Sequence, residues 1–230
     1  MLRVDGAACE RGGRRILTQV GFELRAGEML VLRGANGSGK SSLLRLLAGL
    51  VPLQAGEVEA SGAGTGLSGH LLSGHMLSGH VLSESMIYSG HAVALKPSLT
   101  LFEHLRDWAG CVLGRLLSEA DAFNAATLLD MQQLIDTEAR FFSSGQRRRA
   151  SLLRLLIGAR PIWLMDEPTV GLDAANRKRL AAIMQAHLAR GGMILAATHE
   201  DLGLEGRTLD IEAFKPQAPR WQDAYDDEDW

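Results

Sequence analysis

Gly34-Ala35-Asn36-Gly37-Ser38-Gly39-Lys40-Ser41 matches G-x-x-x-x-G-K-[ST], and its flanks decide the fold. Before it runs Met29-Leu30-Val31-Leu32, a short apolar stretch that reads as a buried strand. After it, residues 41–50 put Leu43, Leu44, Leu46 and Leu47 on one helical face and stop at Gly49. Strand, glycine loop and helix in that order is the context the motif needs. The glycines let backbone N–H groups close on phosphate oxygens, and the helix start adds a favourable dipole. Gly34 through Ser42 therefore form a candidate nucleotide site: Lys40 is suited to the β- and γ-phosphates, Ser41 to Mg²⁺, and Ser42 lies in the helix's first turn.

Further along, Ile162-Trp163-Leu164-Met165 is a second apolar strand, ending in Asp166-Glu167. It delivers two carboxylates to one sheet edge, where Asp166 suits the Mg²⁺ site and Glu167 can polarise an attacking water. An acid pair at a strand end is more often a solvated turn; beside a phosphate loop the functional reading is favoured. Between and beyond, strand text at 16–24, 57–60, 86–88 and 193–197 alternates with helical text at 98–117, 119–134, 146–157 and 174–190. This alternation predicts a mostly parallel sheet covered by helices, with an inserted helical stretch.

The chain has 230 residues, 24 Lys plus Arg against 27 Asp plus Glu, and a net charge of -3. That balance lacks the basic field that binds a phosphate polymer, so nucleic acid is not the expected partner. Two cysteines, Cys9 and Cys111, exclude a disulfide scaffold and suit a reducing compartment. No apolar run approaches the ~18 residues needed to cross a bilayer, and the first residues lack the pattern of a signal peptide. The chain is expected in the cytosol, docking on a membrane protein. Residues 67–85 repeat LSGHL, LSGHM, LSGHV and LSESM at a five-residue period. Neither helix nor strand would line up His70, His75 and His80 at that spacing, so a surface loop is expected in preference to a metal or haem site. Residues 223–230 hold five acids and no base and read as a disordered tail.

With these motifs in place, the chain resembles the ATP-binding cassette (ABC) family over nearly its whole length. Phe142-Ser143-Ser144-Gly145-Gln146 is similar to the family's signature motif, usually LSGGQ, with Phe142 and Ser144 as departures. The resemblance implies that Ser143, Ser144, Gly145 and Gln146 act in trans, on nucleotide held by the other subunit of a head-to-tail homodimer. It further implies a dimer-interface loop at Gly171-Leu172-Asp173 and a switch histidine at His199, which with Glu167 forms the catalytic pair. His91 falls where the family usually places Gln at the lobe junction. Arg11 falls near the adenine-stacking aromatic; its guanidinium plane can stack instead, and a solvated Arg11 is the equal alternative.

The implied fold class is α/β: the P-loop NTPase fold of ABC ATPases, with a mostly parallel core sheet, an antiparallel β subdomain and an inserted α-helical subdomain. The ATPase domain is expected over 1–215, its helical subdomain near 98–145, the insertion near 67–85 and an acidic tail over 216–230. Residues 9–15, Gly90-His91, 95–100 and 145–149 look like one subfamily, the ATP-binding subunits of cytochrome c maturation haem exporters. What that implies is an ATPase using ATP and Mg²⁺, peripheral on the cytoplasmic face of a bacterial inner membrane. Its partners would be integral membrane permease subunits, and its cycle would serve haem export or release of a haem-loaded chaperone. The alternatives are the ATPase of another exporter, a soluble cassette ATPase, and a nucleotide sensor without turnover.

Overall fold

The computed structural model describes residues 1–60, 70–73, 85–114 and 116–216. Five parallel strands form one sheet in the order β6-β7-β8-β3-β9: β3 is Met29–Arg33, β6 Met86–Ser89, β7 Ile162–Asp166, β8 Met193–Ala197 and β9 Arg207–Asp210. Its register pairs Leu30 with Leu195 and Leu164 with Leu195, so β8 lies between the two strands whose ends carry the sequence motifs. Alternate side chains of the central strands enter two cores. Met29, Val31, Trp163, Met165, Ile194 and Ala196 face one; Leu30, Leu32, Ile162, Leu164, Leu195 and Ala197 face the other. Burial on both faces is why these strands read as unbroken apolar runs.

The first core is closed by helices α2 (Leu101–Leu113), α3 (Glu119–Leu128), α4 (Ser144–Gly158) and α5 (Ala174–Ala189). The second is closed by α1 (Lys40–Leu47) and by an antiparallel sheet of order β2-β1-β4-β5. Its strands are β1 (Leu2–Arg11), β2 (Arg14–Leu24), β4 (Ala55–Ala60) and β5 (His70–Ser73). The helical expectations at 98–117 and 119–134 shorten to α2 and α3. Thr100 caps α2 through a reciprocal pair with Glu103, Gly114 ends it at φ 63°, and residues 132–134 form a separate 3₁₀ turn. The loop expectation for the repeat is corrected where its first two units meet: His70–Ser73 pairs antiparallel with β4, Ala60 opposite His70. Residues 67–69 and 74–84 of the repeat and 217–230 of the tail lie outside the described residues.

The end of α5 is fastened to the sheet by an aromatic stack. The His187 ring lies 3.8 Å from that of Trp163 at an interplanar angle of 11°, and its Nε2 is 3.1 Å from the carbonyl of Pro161. Gly192 permits this, because a Cβ there would meet His187 Nε2 at 2.3 Å. Burial, only partly offset by the Pro161 and Met193 carbonyls, pushes the imidazole pKa below the usual histidine value. A base whose native pKa is lowered is held neutral in the fold, while the unfolded chain protonates it near ~6.5. Stability from this ring is therefore present above that value and is lost as pH falls below it toward the lowered native pKa. Urea unfolding at about pH 7.5 and about pH 5.5 should show a fall in stability that is smaller in His187→Phe, which retains a ring against Trp163. An equal fall in both proteins would contradict the linkage.

Candidate functional site

β3, β7 and β8 end on the same sheet edge, and each delivers part of one site. From β3 comes the glycine loop. Gly34 sits at φ 142°, where a Cβ would meet Ser38 Oγ at 2.8 Å, so the backbone path admits no side chain. The loop opens directly into α1, whose N-cap is Gly39 at φ 108° with no capping side chain and no acid in the first turn. The helix's first N–H groups and its dipole are thus left facing the loop.

A cavity of about 370 Å³ lies against this loop, lined by Asn36 to Ser42, Ile16, Arg11, Arg45, His91, Asp166 and Glu167. The seven loop residues, His91, Arg11, Asp166 and Glu167, all expected at one site from the sequence, do meet here. Gly34 and Ala35 contribute differently: their carbonyls accept from Lys40 Nζ at 2.7 and 2.9 Å. The Ala35 N–H donates outward to Glu212 Oε1 at 2.9 Å, and the Lys215 ammonium, followed by this bond, holds the Glu212 carboxyl below its usual pKa.

From β7 comes Asp166, 2% exposed, with its two oxygens divided between partners. Ser41 Oγ donates to Oδ1 at 2.9 Å and the Tyr88 hydroxyl to Oδ2 at 3.2 Å. Burial, with the Asp166 carboxylate beside it, pushes the Tyr88 phenol pKa up despite a bond with Arg45. Glu167 is next along the chain at φ 48°, an uncommon conformation for a residue with a Cβ, its N–H bonded to Ala197 O at 2.8 Å. From β8 comes His199, whose Nε2 is 3.2 Å from Lys40 Nζ and 3.9 Å from Glu167 Oε1. Its backbone is pinned where Arg33 Nη1 donates to Thr198 O at 2.6 Å.

The donor set fits a nucleotide and its metal. Lys40, Arg11 and Arg45 oppose a polyanion, and Ser38 Oγ is buried with no hydrogen-bond partner among the described residues. Ser41 and Asp166 offer the hydroxyl and carboxylate that, with phosphate oxygens and water, suit Mg²⁺. Among the described residues no cluster of three or more His, Cys, Asp or Glu side chains could hold a metal alone.

The signature stretch does not line this cavity. Ser143 caps α4, its Oγ accepting from Gln146 N–H at 3.2 Å while Gln146 Oε1 accepts from Ser143 N–H at 2.8 Å. Phe142 is buried in the helical core, so the aromatic ring fills an apolar position. A Cβ on Gly145 would lie 3.1 Å from Gly171 O, which places the signature turn against 171–173. Asp173 caps α5 by accepting from Asn176 N–H at 2.8 Å, a bond that also keeps its carboxyl pKa low. Tyr88, Arg45 and Glu212 join the site without any sequence motif that marks them, and Arg148 joins it from the 145–149 stretch, which the sequence marks without a role for this side chain. Arg45 reads locally as a polar position on an amphipathic helix, and nothing in the neighbouring residues signals Tyr88 or Glu212.

Comparison with known proteins agrees with this geometry. The family described as ABC transporter matches residues 17–170. The cytochrome c biogenesis ATP-binding export protein CcmA of Paracoccus denitrificans is 40% identical over 96% of this chain and 94% of its own. Its counterpart in Bradyrhizobium diazoefficiens is 42% identical over 88% and 94%. Among solved structures, an ATP-binding subunit of an ABC transporter aligns with TM-score 0.72 at 26% identity, covering 86% of this chain and 79% of that one. The ATP-binding cassette MJ0796, dimeric and bound to ADP and phosphate after hydrolysis, aligns with TM-score 0.74 at 20% identity over 87% and 88%, and supports the fold alone. A phosphate loop, an Asp-Glu strand end and a histidine brought to one edge of this sheet, in a chain so matched, make it a member of the ABC transporter family.

Proposed function

We propose that the chain is the ATP-hydrolysing subunit of an exporter complex for cytochrome c biogenesis, acting as a homodimer on integral membrane permease subunits. The observation that carries the reading is the meeting of Lys40, Ser41, Asp166 and Glu167 around one cavity, with His199 beside Lys40 and Glu167. The export role rests on relatives named for cytochrome c biogenesis at about 40% identity over most of both chains. Coupling to haem export, or to release of a haem-loaded chaperone, is the finer proposal. In this reading residues 1–215 are the ATPase domain, 98–145 its helical subdomain, 67–85 an insertion and 216–230 a tail.

Each residue has a part set by its place. The loop N–H groups and Lys40 grip the nucleotide phosphates, and Arg11 stacks on the base. Mg²⁺, held by Ser41 and Asp166, would neutralise charge developing on the phosphates. Glu167 orients a water for in-line attack on the γ-phosphorus and accepts its proton as the bond to the ADP oxygen breaks. His199, reaching both Lys40 and Glu167, holds the γ-phosphate side of the cavity, and His91 contacts water or metal from the lobe junction. Ser143 to Gln146 close on nucleotide held by the second subunit, with Asp173 crossing between the two. The intact pair Glu167 and His199 favours turnover over a sensor that only binds.

Glu167→Gln should retain nucleotide affinity within about twofold and lower kcat by a factor of about 10² or more. Lys40→Ala should weaken binding itself. Calorimetric binding of ATP and phosphate release by the complex measure both, and wild-type turnover in Glu167→Gln would remove it as the base.

Among the described residues no helix is long and apolar enough to cross a membrane. As a peripheral subunit on the cytoplasmic face of the bacterial inner membrane, the chain should sediment with membranes only when its permease partner is co-expressed. Alkaline carbonate should strip it. Firm retention by membranes lacking the partner would contradict this assignment.

A further inference from the structure

Three consecutive arginines open α4, and they go three ways. Arg147 is exposed and donates to Arg140 O; Arg149 donates to Leu129 O and Asp130 O beside α3. Arg148 turns inward and is 4% exposed. Its guanidinium serves four backbone carbonyls: Gly90 O from Nη1 at 2.8 Å, Asp166 O from Nη2 at 2.8 Å, Glu167 O from Nη2, and Pro168 O from Nε at 3.4 Å. Three of those carbonyls belong to the turn that presents Glu167, and the fourth precedes His91.

We propose that Arg148 is a positioning residue for hydrolysis: it fixes the Asp166–Pro168 turn and the Gly90–His91 loop to the signature helix, so that Glu167 is held in its working conformation. The proposal rests on the reading of Glu167 as the group that orients water.

Conformation is the starting point. Glu167 at φ 48° is strained for a residue with a Cβ, and a strained conformation persists only where its surroundings over-determine it. Its N–H is held by Ala197 O, and its carbonyl by Val170 N–H at 3.3 Å and by Arg148. The carbonyls of this turn point into a protein interior, where an unpaired acceptor is costly, and a planar fork with five N–H groups is the side chain able to satisfy several at once. Burial lowers the Arg148 pKa, and the nearby Asp166 and Glu167 carboxylates oppose that shift. The cation is thus compensated by the same two groups whose backbone it holds.

A purely structural bond to one carbonyl would not join three functional segments. Arg148 sits five residues beyond Ser143, on the helix whose start carries the signature turn. Displacement of that helix would move the guanidinium and with it the catalytic turn. Lysine cannot reproduce the fork: a single ammonium at the end of a flexible stem reaches one or two of the four carbonyls.

The test uses the ATPase with its membrane partner, in wild type, Arg148→Lys and Arg148→Met, the last leaving all four carbonyls without this donor. Arg148→Lys is expected to fold, to keep KM for ATP within about twofold, and to lose about tenfold or more in kcat, an effect confined to the transition state. Backbone hydrogen exchange should rise in the peptides covering 165–170 and 88–92 and stay at wild-type levels in β3 and α1. Arg148→Met should show the same pattern more strongly. Unchanged kcat with unchanged exchange in Arg148→Lys would overturn the proposal. So would a uniform rise in exchange with kcat falling only as the folded fraction falls, because that marks a stabilising residue alone. Glu167→Gln measured alongside separates the two readings: normal turnover there rejects Glu167 as the base, while the exchange data still decide whether Arg148 holds the turn.

Discussion

The hydrogen bond from Ser41 Oγ to Asp166 Oδ1, 2.9 Å long, joins residues 125 apart in sequence and fixes the geometry on which the site depends. It forms because β3 and β7 flank β8 in a parallel sheet, so the first turn of α1 and the end of β7 emerge at one edge. Parallel strands separated by crossovers must all point the same way, so the segments that leave them gather at their C-terminal ends. The phosphate loop, the acid pair and His199 are three such continuations. Their proximity needs no local attraction; it arises from strand direction and from two apolar cores that hold the strands in register.

Placing charge in this edge is costly, and the surroundings show how the cost is offset. Lys40 and Asp166 are both nearly buried, yet neither relies on a lone ion pair. Lys40 commits two of its donors to loop carbonyls, and Asp166 receives two hydroxyls. Buried charges satisfied by dipoles in this way avoid the desolvation penalty that an isolated charge would suffer. A phosphate would engage the Lys40 donors and a metal the oxygens of Ser41 and Asp166, so ligand binding would exchange existing interactions instead of creating them from solvent. Strain at Glu167 belongs to this arrangement: a residue held out of its preferred conformation is aimed, and the sheet beneath it supplies the rigidity.

Legibility in the sequence tracks local physical signature. β3, β7 and β8 show as apolar runs, and β8 is found at its expected ends, because burial on both faces leaves no polar position to confuse the reading. β1 escapes recognition: its pairing with β2 shifts register between Val4 and Ala7 and again before Cys9, which breaks the alternation that marks a half-buried strand. β9 is missed for the opposite reason, being an edge strand with no buried residue. Within the site, the residues found are those tied to a motif, while Tyr88 and Glu212 reach it from strands and turns whose own text is ordinary. Arg148 is the sharpest case. The 145–149 stretch marks the subfamily without distinguishing its three arginines, and only the tertiary arrangement of four carbonyls sets the middle one apart.

The signature helix therefore has two ends to its function within the proposed head-to-tail pair. Its N-terminal turn, with Ser143 and Gln146 bonded reciprocally, does not line the chain's own cavity, and in the proposed pair it would meet an anion brought by the other subunit. Little more than a turn later the same element grips the chain's own Glu167 turn through Arg148, and Gly145 lies so near the carbonyl of Gly171 that a Cβ there would come within 3.1 Å of it. The helix runs unbroken from Ser144 to Gly158, so its first turn and Arg148 belong to one element. Under the proposed roles of Ser143, Glu167 and Arg148, engagement of phosphate at one end would reach the carboxylate of the neighbouring site, and each nucleotide would help to set the geometry in which the other is hydrolysed.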